Sequence, residues 1–74
     1  MRKQYQICCP TADGNVVLGC TDTVMGIKNI VKQFMSDNEG STEVVIKEND
    51  KGRYAVTDKF NELIDDLYTA YWFN

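Results

Sequence analysis

Along the first ten residues, Tyr5, Ile7 and Cys9 alternate with Gln4, Gln6 and Cys8. A period of two predicts a strand, and Pro10 ends it. Asp13-Gly14-Asn15 supplies residues that tolerate positive φ, and Val16-Val17-Leu18 follows, so a β-hairpin is expected. The period then changes. Val24, Ile27, Ile30, Val31 and Phe34 recur at helical spacing behind the N-cap chemistry of Thr21-Asp22-Thr23, and Gly40 stands where a helix stops. A helix over about residues 22–37 is predicted. Gly26 weakens its first turn by about 1 kcal/mol relative to alanine, a cost that a close packing contact would explain.

The second half repeats the scheme. Glu43 through Glu48 holds a β-branched run, Asn49-Asp50-Lys51-Gly52 is a turn cluster, and Arg53-Tyr54-Ala55-Val56 completes a second hairpin. Thr57-Asp58 opens a second predicted helix, on which Phe60, Leu63, Ile64, Leu67, Tyr68, Tyr71 and Trp72 form one apolar stripe. Thr21-Asp22 and Thr57-Asp58 stand 36 residues apart, and at that offset Val24, Ile27 and Val31 fall on Phe60, Leu63 and Leu67. An internal pseudo-repeat of 1–40 and 41–74 is therefore worth testing within a single domain of 1–74. The order ββαββα predicts an α+β fold: a four-stranded antiparallel sheet with both helices packed on one face. On the simplest register Tyr5, Ile7, Val16, Leu18, Val44, Ile46, Tyr54 and Val56 point toward the helices. Gln4, Gln6, Cys8, Val17, Val45, Lys47, Arg53 and Ala55 then point away.

Two stretches carry a family likeness. Ala12-Asp13-Gly14-Asn15-Val16-Val17-Leu18, followed by Gly26-Ile27-Lys28-Asn29-Ile30-Val31-Lys32, resembles the YegP-like family of small bacterial proteins built from tandem ββα units. Glu43 through Tyr54, with Lys51-Gly52-Arg53-Tyr54, looks like the opening hairpin of that family. The resemblance spans about half the chain. The first helix would begin late for the family, and the second has no Gly-Ile pattern. What the resemblance implies is the tandem ββα fold; it brings no activity with it.

Composition narrows the chemistry. The chain has 74 residues and no histidine, so Ser-His-Asp and Cys-His catalysis and His-ligated metal sites are excluded. A domain of this size buries only about 60% of the surface its unfolded chain exposes, so a partner or a second copy is a natural supplement. Cys8, Cys9 and Cys20 are odd in number and lack the spacing of a zinc site. In a hairpin centred near Asp13, Cys20 falls opposite about Gln6. The expectation is free thiols in a reducing, cytoplasmic setting, with no metal and no cofactor. No phosphate-loop glycine spacing occurs, and no apolar run has the length of a signal peptide or a membrane helix.

The net charge of −3 is unevenly spread. Residues 1–34 hold four basic and two acidic side chains, a balance of +2; residues 35–74 hold four basic and nine acidic ones, a balance of −5. Asp58, Glu62, Asp65 and Asp66 crowd the polar face of the second helix, with Lys59 as their nearby compensation. Like charges three and four apart disfavour a helix, and on a helix opening at 57 Asp65 and Asp66 fall beyond its midpoint. Such a face is either a solvated surface or a dock for a basic partner. Tyr71, Trp72 and Phe73 stand just before the last residue, Asn74; core closure is the expectation for the stripe aromatics, an interface the alternative. Lys47, Arg53, Val17 and Val45 are expected on the open sheet face, where no outward aromatic is available to stack a base.

The expected function is therefore a small cytoplasmic protein-interaction or regulatory module of a bacterium or phage, without catalysis. It would meet a protein partner, or a second copy as a homodimer, through the acidic helical face and the open sheet face. The alternative is an accessory nucleic-acid binder using Lys3, Lys47 and Arg53, although so acidic a chain disfavours nucleic acid.

Overall fold

A computed structural model describes residues 4–73. Six elements follow in the order β1 (Tyr5–Thr11), β2 (Gly14–Thr21), α1 (Val24–Asp37), β3 (Val45–Asp50), β4 (Arg53–Val56) and α2 (Asn61–Phe73). The four strands form one antiparallel sheet in the order β2-β1-β3-β4, and the fold is α+β with ββαββα connectivity. Each hairpin with its helix is a ββα half, and the halves meet where β1 pairs with β3.

The core lies at that seam. Ile7 of β1 pairs with Ile46 of β3, and above them stand Ile27, Val31 and Met35 of α1 with Ile64 and Leu67 of α2. Steps of four bring the α1 residues to one side of the helix, and all three are buried. Tyr5 meets Phe60 edge to face, with ring centroids 5.0 Å apart, and closes the end of the core where α2 begins. Pro10, which has no N–H to give, stands beyond Cys8↔Val45, the last pair between β1 and β3.

α1 begins two residues later than the pattern suggests. The Thr23 side chain caps it by accepting from the Gly26 amide at 3.0 Å. Gly26 is there because Thr21 leans on the first turn: a Cβ at 26 would collide with Thr21 Oγ1. At the far end the Gly40 amide donates back to the Met35 carbonyl at 2.8 Å. Glu39 and Gly40 turn the chain there with φ of 54° and 84°.

Three expectations change. First, β4 is flipped. Lys51 and Gly52, both at positive φ, make the two-residue turn between the paired Asp50 and Arg53. That pairing sets Ala55 opposite Glu48 on the helix side and Val56 opposite Lys47 on the outer side. Tyr54 and Val56 thus face outward, and Arg53 shares a face with the inward residues. Second, β2 carries an extra residue: Ile7 pairs with Gly19 and Cys8 with Val17, which leaves Leu18 as a bulge. Third, α2 begins at Asn61 and not at Thr57, so Asp58 precedes the helix.

Candidate functional site

The late start of α2 alters the meaning of its acids. Glu62 lies in the first turn, and Asp65 and Asp66 are the fifth and sixth of 13 helical residues. They stand in the half whose dipole tolerates anions, which corrects the placement beyond the midpoint. All three are exposed, as is Asp58 on the approach to the helix. Lys59 does not compensate them; its ammonium reaches across to both oxygens of Glu48 on β3, at 3.0 and 3.1 Å.

The aromatic end of α2 does not close the core. Tyr68, Tyr71 and Trp72 are 42%, 48% and 51% exposed, and Phe73 is 76% exposed. The reason is reach: the buried part of the stripe stops at Leu67, one turn before Tyr71. Beyond it the aromatics lie along the end of α1 and the turn that follows it. Trp72 lies against Gly40, donating from Nε1 to its carbonyl at 3.4 Å, and Tyr71 packs edge-on to the indole with centroids 5.2 Å apart. Beside them a small groove of about 260 Å³ runs between Lys32, Met35 and Ser36 of α1 and Leu67, Ala70 and Tyr71 of α2.

The outer sheet face places Val17, Val45 and Lys47 together, as the alternation predicts, while Arg53 leaves it. Cys8 sits on that face between its ladder partners Val17 and Val45 and is buried. Tyr54 is on the same side, its hydroxyl donating to Gln4 Oε1 at 3.4 Å, so an outward aromatic exists after all. The β4 parity was available from the chain itself: a tight turn at Lys51-Gly52 alone fixes Val56 opposite Lys47. Lys3 lies outside the described residues.

The cysteines are free and apart in their environments: Cys8 buried, Cys9 half-buried, Cys20 exposed. Cys20 pairs with Gln6, as the hairpin geometry predicts. Among the described residues no cluster of three cysteine or carboxylate side chains could hold a metal ion. No helix among them is long and apolar enough to cross a membrane.

One concavity is a feature the sequence pattern did not single out. A groove of about 550 Å³ opens between the inner face of the first hairpin and one flank of α1. Cys9, Val16 and Leu18 line its sheet side, and Ile30, Phe34 and Asp37 its helix side. The missed signal is the length of β2: the hairpin tip runs past the core, so Val16 stays 53% exposed on an inward position. Comparison of the chain with protein-family models, curated proteins and solved structures finds no match.

Proposed function

We propose that the chain is a small cytoplasmic protein-interaction or regulatory module without catalysis, docking on a partner through the aromatic end of α2. The observation that carries this reading is the exposure of Tyr68, Tyr71, Trp72 and Phe73 on consecutive turns of one helix. Aromatic side chains with little rotamer freedom are the favoured anchors of protein interfaces. Glu62, Asp65 and Asp66 on the same helix give the surrounding rim a negative charge, which favours a basic partner and raises its rate of encounter. Three free thiols suit a reducing compartment. The ββα halves are compatible with the tandem ββα family that the turn motifs resemble.

The test is affinity capture from the native host with wild type, Phe73→Ala and the Asp65→Lys/Asp66→Lys double variant. The expected result is one protein retained by wild type and lost by both variants, with unchanged circular dichroism. Recovery of the same proteins by all three overturns the reading. A second copy docking through the same aromatics is a separate outcome, read as a doubled mass in light scattering that Phe73→Ala abolishes.

A second reading, nucleic-acid binding on the outer sheet face, draws on Tyr54 and Lys47 standing there. It requires oligonucleotide binding that weakens steeply with salt. Absence of retention at low salt sinks it.

A further inference from the structure

We infer that the free edge of β2 and the groove beside α1 form one docking site for an extended peptide. The peptide adds as a fifth strand and presents an aliphatic side chain to the groove and a lysine or arginine to its far end. This site goes beyond the α2 surface and uses none of its residues.

Backbone chemistry supplies the first argument. β2 is an outermost strand of the sheet, so among the described residues one side of its backbone has no strand partner. Its sequence, Gly14-Asn15-Val16-Val17-Leu18-Gly19-Cys20-Thr21, contains neither a charge nor a proline over eight residues. Sheet edges are ordinarily blunted by charge, proline or shortness, and β4 at the other edge follows that rule with four residues opening on Arg53. The Leu18 bulge is the one such device on β2. An edge left this open is a template for strand addition, in which main-chain hydrogen bonds give affinity and pockets for alternate side chains give selection.

The groove provides those pockets. It lies on the flank of α1 away from α2: Ile30, Phe34 and Asp37 line it, while Lys32, Met35 and Ser36 face α2. A strand laid beside β2 sends every second side chain to the inner face, toward Val16, Leu18, Ile30 and Phe34. Among the described residues Asp37 is the only charged side chain on the lining, and Gln33 Nε2 donates to both of its oxygens, at 3.1 and 3.2 Å. A carboxylate fixed at the end of an apolar groove selects an aliphatic residue with a cation nearby. That charge also decides between occupants. A second copy would offer an uncharged β2 and bring another Asp37, and the described residues of β2 and the groove hold no cation for either.

The test uses full-length protein and fluorescein-labelled seven-residue peptides that alternate valine or leucine with threonine and carry lysine or glutamate at one terminus or the other. A lysine peptide should bind, shifting the amide resonances of β2 and protecting Cys9 from alkylation. Its glutamate counterpart should bind about threefold more weakly. Asp37→Lys should reverse that order, and N-methylation of alternate peptide amides should abolish binding; Phe73→Ala should change none of these. Three results overturn the proposal: no binding by any peptide at millimolar concentration, binding indifferent to N-methylation, or a peptide-insensitive doubling of mass that assigns the edge to a second copy.

Discussion

Trp72 lies across Gly40, joining the last turn of α2 to the turn that ends α1. Gly40 has φ of +84°, and a Cβ there would meet the indole at 2.6 Å, so the position refuses a side chain twice over. Gly40→Ala should cost about 1–3 kcal/mol from backbone strain alone, before the displaced ring is counted. Trp72 is the only tryptophan, so its emission reports both effects. A red-shifted native spectrum and a lower urea midpoint are expected.

Gly26 and Thr21 make the corresponding contact at the start of α1. In an unencumbered helix, glycine to alanine would gain about 1 kcal/mol. Here the new Cβ would fall 2.7 Å from Thr21 Cβ as well as on its hydroxyl, so the sign reverses. Gly26→Ala should lower the melting temperature, and Thr21→Gly in the same chain should restore part of the loss.

Thiol reactivity should rank by burial. Cys20 is exposed, Cys9 half-buried and Cys8 buried, so iodoacetamide should modify them in that order. Mass spectrometry of timed samples checks it. Cys8 should react only on unfolding, because it is buried between its ladder partners Val17 and Val45.

The turn between β3 and β4 invites a stabilising change. Lys51 adopts φ of +54°, a conformation costing an L side chain roughly 1–2 kcal/mol. Lys51→Gly or Lys51→Asn should raise the urea midpoint, with most of the strain relieved in the glycine variant.

Asp66→Lys should leave the fold intact and strengthen it slightly. It removes an anion four residues after Glu62 and installs a cation in the favoured i, i+4 order, worth about 0.2–0.5 kcal/mol. If the acids of α2 dock a partner, the same substitution weakens capture. Opposite signs in stability and binding would separate a docking role from a structural one.

Where the chain is legible, the physics is local. Alternation and turn residues mark the strands of both hairpins, and helical spacing marks Ile27, Val31, Ile64 and Leu67, all buried. Thr23 as cap and Gly26 as a contact point follow from the same short-range reasoning. The acidic residues of α2 were visible too, but their relation to the dipole depended on whether the helix opens at Thr57 or Asn61. At Thr57 the amide still donates to the Ile46 carbonyl of β3, at 2.9 Å, so the sheet holds the chain there and the helix opens at Asn61.

The amino-acid sequence by itself determined the elements, their order and the chemistry it excludes, because period, caps and turns are encoded within a few residues. Tertiary structure decided which apolar residues find cover. An apolar stripe is an offer of burial, and burial needs opposing area from another part of the chain. The core cluster built with α1 gives that area to Ile64 and Leu67 but not to Tyr71, Trp72 or Phe73, and α1 shelters Leu18 but only part of Val16. What the pattern marked as core closure on α2 is, in three dimensions, an aromatic surface. What it marked as an ordinary hairpin is an open edge with a groove beside it.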